Sequence, residues 1–324
     1  MAPASSENSA PLMPKWSSYA GQPVDVSRRR SIHIRSLSDD ASTVSTEKAS
    51  LTIDWFLHEG EFRRAVVPLD GVSDVYGQAF NFSAVRTRQT ADGNEVLLSP
   101  DGLPRRRLPV MNHVQSRFRF HSDRPIRLYP LGDASGKPIG HVDDFVYSLE
   151  VTGPPGVKFN LKDGLQGNLL SAHRMLSTQE MVFERIVVEN QVVTESPPLE
   201  LTDKDKRSLL VASLLRSHQA GMDEPYRLLG LRSTNNCTST PLQILDRVVK
   251  YSFAGRLGSL LYRLPLRPRL YLRIRGLDSN PRVRRLVRNE FADYIDAEQT
   301  QTRKREHVER LNRKKRERQQ QSNG

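Results

Sequence analysis

Hydrophobic positions change their period along this chain. Up to about Val193 they come in short alternating runs, the period-two mark of strands, and from Leu201 they recur every three or four residues, as on helices. The run LTIDWFLHEGEFRRAVVPLDGV from Leu51 holds two β-prone stretches about His58-Glu59-Gly60-Glu61, which predicts a hairpin. Tyr76 to Val85 predicts another strand or a partly buried segment. Thr90 to Asn94 reads as a turn, and Glu95 to Leu98 as a short strand after it. In the strand after Leu108, Val114, Ser116, Phe118 and Phe120 share one face, with Gln115, Arg117 and Arg119 on the other. Phe145 to Val151 is the next strand, stopped by Pro154-Pro155-Gly156. Lys162 to Gly167 reads as a loop, Ser177 to Glu180 as the start of a short helix or turn, and the Val- and Ile-rich run Phe183 to Val193 as a strand.

The helical period begins with Leu201 to Arg216. Thr202 is a suitable N-cap, Asp203 and Asp205 suit the first turn, and Leu209, Leu210, Ala212, Ser213 and Leu214 build the apolar side. A second helix opens at Thr240-Pro241-Leu242-Gln243, which has the form of a capping box with proline at the first helical position. Leu242, Leu245, Val248 and Val249 carry it on. After Pro265 and Pro268, the run RLYLRIR from Arg269 alternates like a strand, and Pro281 starts a long helix from Arg282 through Ile295 into the tail. Residues 1–50, rich in Ser, Ala, Pro and Thr, read as a disordered leader with Trp16 as its single large anchor. The expected organisation is therefore a leader over 1–50, a β-rich extension over 51–107, an α+β domain over 108–262 and a basic segment over 263–324 whose end is disordered.

Composition alters this picture in two places. Only 37% of the 324 residues are hydrophobic, so part of the chain is expected to lie outside any core. The net charge of +12 is unevenly spread: residues 303–318 hold nine Lys or Arg against three Glu, and nine more arginines lie between Arg263 and Arg288. Such a balance attracts polyanions, nucleic acid or an anionic membrane surface, and the candidate contacts are Arg303, Lys304, Arg305, Arg313, Lys314 and Lys315. The competing reading is a solvated helix or arm. Tyr271 alone interrupts the densest arginine run, whereas a stacking reader of nucleic acid needs several aromatics. No Walker loop, dinucleotide fingerprint or HExxH is present, so neither cofactor nor metal is expected. No apolar run reaches the ~20 residues of a membrane span. With no export signal visible either, the expectation is a cytoplasmic location without a transmembrane segment.

The one cysteine, Cys237, excludes an internal disulfide. It lies in Asn235-Asn236-Cys237-Thr238, immediately before the second helix, where a helix N-terminus can favour a thiolate. The plain alternative is a small buried hydrophobe. A nucleophilic thiol needs a base; with His33 in the leader, His218 in the loop after a helix and His307 in the basic tail, the candidates are His58, His113, His121, His141 and His173. His113 and His141 each precede an apolar strand. The residues alone do not choose between them.

An ordered set of short elements carries a resemblance. Lys162 to Gly167, Glu184-Arg185, Leu199 to Thr202, Tyr226 to Leu229 and Asn236-Cys237-Thr238 follow a histidine-bearing strand, over roughly residues 108–250. This order resembles a bacterial family that includes the N-terminal domain of the lipoprotein N-acylation transacylase. That family is similar to circularly permuted NlpC-type and lecithin:retinol acyltransferase-type thiol enzymes, in which the histidine precedes the cysteine. The resemblance implies an α+β, papain-like sheet with helices and a Cys–His dyad acting on an acyl- or amide-bearing substrate through a thioester. Cys237 would be the nucleophile and His113, in Asn112-His113-Val114-Gln115-Ser116-Arg117-Phe118, the base. His141, in Gly140-His141, is the rival: it has the family's glycine but lacks the arginine and phenylalanine, while Asn112 stands where that glycine is expected before His113. Asn235, Asn236 and Tyr226 would support the oxyanion or wall the site. The other class is a non-catalytic basic scaffold or a nucleic-acid or anionic-surface binder in which Cys237 is inert.

Overall fold

Alternation becomes pairing in one large mixed sheet. The structure is a computed structural model that describes residues 11–38, 49–90, 93–99, 102–108, 112–132, 136–228, 234–253, 268–278 and 285–322. In chain order the strands are β1 (His33–Ser38), β2 (Ser50–His58), β3 (Glu61–Pro68), β4 (Val72–Asn81), β5 (Thr87–Thr90), β6 (Gly93–Val96) and β7 (Asn112–Phe120). There follow β8 (Ile126–Pro130), β9 (Gly140–Val142), β10 (Asp144–Thr152), β11 (Leu170–Ser177), β12 (Thr194–Glu195) and β13 (Arg285–Leu286). Ten of them run in the order β13-β12-β4-β7-β10-β11-β2-β3-β8-β9, with β1 added on β2, while β5 and β6 form a separate hairpin. Among the described residues, β11 against β2 is the parallel pair. The sheet thus combines strands from the expected extension, β2 to β4, with those of the expected α+β domain.

Both faces of this sheet are covered, which is why β11 is buried along its whole length and β10 at all but two positions. Registers place Val75, Phe118, Phe145, Tyr147 and Met175 on one face. There they meet Leu209, Leu210 and Leu214 of α3 (Asp203–Ala220) and Leu242 and Leu245 of α4 (Ser239–Val248). The opposite face carries Phe80, Val146 and Leu176 under Met181, Phe183, Ile186 and Val187. It also carries polar side chains: His113, Arg117, Ser148, Glu150 and Arg174 are all buried there.

Several local expectations agree with the structure. The β2–β3 hairpin turns at Glu59 and Gly60, both at positive φ, and Thr202 caps α3 by accepting from the Asp205 amide at 3.1 Å. Ser177 likewise caps α2 (Thr178–Val182). Other segments differ for tertiary reasons. Lys162 to Gly167 is not a loop: α1 (Leu161–Gln166) is capped by Asn160 and ended by Gly167 at φ 73°. Phe183 to Val193 is not a strand, since α2 continues into a π-helical turn over Phe183–Val188 that packs Phe183, Ile186 and Val187 at helical spacing. RLYLRIR is helical in α5 (Pro268–Ile274), where Tyr271 and Leu272 enter the core and Arg275 just beyond pairs with Asp246 of α4.

The expected long C-terminal helix is divided into α6 (Val287–Glu290), α7 (Ala292–Asp296) and α8 (Glu298–Ser322). Ala297 breaks it with extended ψ of 136°. Within the leader, residues 11–38 follow a defined path rather than the disordered one expected. Met13, Val24 and Ile32 are buried, Tyr19 Oη bonds Asp163 and Arg28 pairs with Glu180, whereas Trp16 stays 45% exposed. Residues 1–10 and 39–48 lie outside the described residues.

Candidate functional site

The loop that leads into α4 is built on β7. Strand β10 pairs with β7 as far as Tyr147 opposite Ser116, and beyond that point the Cys237 loop takes up the free side of β7. Val114 N donates to the Cys237 carbonyl at 3.3 Å, and Thr238 Oγ1 donates to the Asn112 carbonyl at 2.7 Å. These two bonds straddle His113. The helix start differs from the expected box: Asn236 Oδ1 accepts from Thr238 N (2.9 Å) and Ser239 N (2.8 Å), and Gln243 Nε2 turns to the Thr234 carbonyl. An asparagine two or three residues before the first amides satisfies them as well as threonine would.

The thiol itself is enclosed. Cys237 is 7% exposed, Tyr226 Oη donates to its sulfur at 3.6 Å, and the Asn112 carbonyl lies 4.0 Å away. Burial pushes the thiol up to about 11; the Tyr226 hydroxyl works in the opposite sense, and the Glu150 charge adds to the rise. Tyr226 is buried too, its ring set edge-on against Phe159 at 5.8 Å between centroids. Burial and the neighbouring cysteine raise its hydroxyl well above the usual range.

His113 is 1% exposed. Its ring stacks on Phe80 at 4.7 Å and 22°, with Phe82 edge-on at 5.6 Å. Nε2 lies 2.8 Å from Ser148 Oγ, and Ser148 Oγ in turn donates to Glu150 Oε1 at 3.1 Å. Burial lowers the imidazole to about 4, against a smaller upward pull from Glu150 and with Arg185, Arg174 and Arg29 adding to the fall. Burial opposes ionisation of Glu150, but the adjoining Arg185, His113, Arg174 and Arg29 outweigh it and hold this carboxyl well below its usual value. Glu150 therefore acts on His113, Cys237 and Tyr226 together. Among the described residues, no hydrogen bond joins the imidazole to the thiol; the link between the two is the bonding of the Cys237 loop to Asn112 and Val114.

The remaining histidines stand elsewhere. His141 is exposed on β9, at the far edge of the sheet, with five strands between it and β7. His58 Nδ1 meets Ser177 Oγ at 2.9 Å at the end of β2, and His121 is exposed beyond β7. His173 is buried on the face opposite Glu150, with Nδ1 2.7 Å from Tyr147 Oη and, among the described residues, no hydrogen-bond partner for Nε2. Asn235 and Asn236 brace the loop. Asn235 Nδ2 reaches Ser171 Oγ, Glu224 and the Pro225 carbonyl, and Asn236 Nδ2 reaches the Leu228 carbonyl at 2.9 Å. Ser148 and Glu150 were not singled out from sequence, although two polar residues on one face of the apolar run FVYSLEV mark a buried polar pair.

The basic tail is partly committed to the fold. Arg303 donates to the fully buried carboxylate of Glu180 at 2.5 Å and lies 3.8 Å over the Phe183 ring, so it anchors α8 rather than presenting a free charge. Lys304 is half-buried, and Arg305 and Arg313 are exposed. The side chains of Lys314 and Lys315 lie outside the described residues. Among the described residues no three His, Cys, Asp or Glu groups are gathered for a metal ion, and no helix is long and apolar enough to cross a membrane. Comparison of the chain with protein-family models, with curated proteins and with solved structures returns no match.

Proposed function

We propose that this protein is a cysteine-dependent hydrolase or acyltransferase acting on amide or ester bonds, with a permuted papain-like order in which the histidine strand precedes the cysteine helix. One observation carries the reading: the loop holding Cys237 at the head of α4 is bonded to both neighbours of His113, while His113 is in turn bonded to Ser148. Nucleophile, base and orienting group are thereby drawn from a helix N-terminus and two strands. In the reaction, the Cys237 proton passes to His113 as sulfur bonds to the carbonyl carbon. The imidazolium returns that proton to the departing amine or alcohol, leaving a thioester. Water or an amine then attacks the thioester carbon, giving its proton through His113 to the sulfur that leaves.

The folded form is a resting state of this chemistry. Passing a proton from a thiol held at about 11 to an imidazole held at about 4 is uphill by on the order of 10 kcal/mol. Substrate or solvent must therefore enter and rehydrate the pair before the thiol attacks. The enclosed thiol also favours a second reading, a basic scaffold or anionic-surface binder in which Cys237 is inert, with the exposed Arg305 and Arg313 as contacts.

Incubation with p-nitrophenyl acetate and butyrate, followed by peptide mapping, separates the two. The expected result is one acyl adduct on Cys237, absent in Cys237→Ser and formed at least ~100-fold more slowly in His113→Gln, in line with loss of a general base. No adduct with either ester, together with salt-sensitive retention of nucleic acid or anionic vesicles that is lost on removing residues 300–324, establishes the scaffold.

A further inference from the structure

The His113–Ser148–Glu150 chain has only one consistent arrangement of protons. A serine hydroxyl has a single hydrogen to donate. Glu150 receives Arg185 Nη2 and Ser148 Oγ on the same oxygen and is surrounded by Arg185, Arg174 and Arg29, so it is an ionised acceptor with no proton of its own. The Ser148 hydrogen must therefore lie on the Glu150 side, which leaves Ser148 Oγ as an acceptor toward the ring. Nε2 of His113, at 2.8 Å, has to be the donor.

We infer that Glu150, acting through Ser148, is a positioning residue that locks His113 in the Nε2–H tautomer and leaves Nδ1 as its proton-accepting atom. The role of Nδ1 as the base for Cys237 rests on the thiol-enzyme reading; the tautomer does not. The ring plane is set independently by Phe80 and Phe82, so the relay fixes the proton while the aromatics fix the orientation.

The fold invests an unusual element in holding Glu150. The turn Phe183–Val188 is π-helical, and it sends two successive side chains into the same buried network: Arg185 to Glu150, and Glu184 to the two terminal guanidinium nitrogens of Arg174 at 2.9 Å. A wider turn brings neighbouring residues closer in angle than an α-helix does, and such turns recur at functional sites. Arg174 is paired with Ser148 across β10 and β11, so its engagement with Glu184 keeps it 3.8 Å from Glu150 and leaves Arg185 as the close partner. The carboxylate stays charged, and the serine proton stays committed to it.

Nitrogen-15 NMR of the full chain labelled at histidine reads the tautomer directly. At pH 7, wild-type His113 is expected to show a pyrrole-type Nε2 and a pyridine-type Nδ1. In Ser148→Ala the two forms mix, and Ser148→Thr, which keeps the hydroxyl, restores the single form. A wild-type Nδ1–H tautomer, or a Ser148→Ala spectrum identical to wild type, overturns the inference whatever the variants do to stability. Acylation of Cys237 by p-nitrophenyl acetate is followed in the same samples, with a ~10–100-fold slower rate expected in Ser148→Ala and recovery in Ser148→Thr. If wild-type protein shows the expected tautomer and no acylation, the thiol-enzyme reading fails while the relay stands. If Ser148→Ala mixes the tautomers yet acylates at the wild-type rate, the positioning role is overturned.

Discussion

Val114 N donates to the Cys237 carbonyl at 3.3 Å, so the cysteine loop hangs on β7 one residue past His113. This bond between residues far apart in sequence brings a thiol and an imidazole into one buried region with a shared carboxylate. Neither group is charged there, and the properties of the site follow from that neutrality.

Acid should destabilise the protein through His113. Its folded value of about 4 lies below the unfolded value of 6.5, so the unfolded chain binds more protons between them. The stability it contributes is complete above about 6.5 and is lost as pH falls toward 4, on the order of 3 kcal/mol in all. Urea unfolding of wild type and His113→Gln at pH 7, 6 and 5 checks this: the gap between the two curves should change in the variant's favour as pH falls.

Tyr226 donates to the Cys237 sulfur, and a donor favours the thiolate. Tyr226→Phe should therefore raise the thiol further and slow alkylation. Iodoacetamide labelling followed by mass spectrometry from pH 7 to 10 should show a several-fold slower rate in the variant, with stability reduced by only about 1 kcal/mol. Faster labelling at every pH would mean that the tyrosine acts as a barrier and not as a donor.

Arg185 faces Glu150 where both are almost fully buried. Arg185→Met leaves the carboxylate without its closest cation and should cost about 3–5 kcal/mol. The double change with Glu150→Gln should recover most of that loss, because it removes the stranded charge. Chemical denaturation of the two singles and the double gives the coupling directly.

Arg303 ties α8 to the body through Glu180 and the Phe183 ring. In Arg303→Ala, hydrogen exchange over residues 298–310 should quicken by at least ~10-fold while β10 and β11 keep their protection. Arg305→Ala, on the exposed side, should leave exchange unchanged.

Local chemistry determined much of this protein from sequence alone. Period-two runs mark β2, β3, β7 and β10, Thr202 and Ser177 cap the helices they precede, and the apolar spacing after Cys237 makes α4. These features depend on residues within a few positions of each other, so a linear reading contains their causes. Tertiary structure decided the rest. Phe183 to Val188 is rich in β-branched residues yet winds into a π turn, because its apolar side chains cover the second face of the sheet and Arg185 meets a buried carboxylate. RLYLRIR alternates like a strand, yet it is helical because Tyr271, Leu272 and Arg275 are placed by the core and by Asp246. Sequence placed Cys237 at a helix start and offered several histidines. Strand order set His113 on the interior strand β7, beside the cysteine loop, and His141 on the edge strand β9, since neighbours in a sheet are chosen by long-range register, which no local pattern encodes.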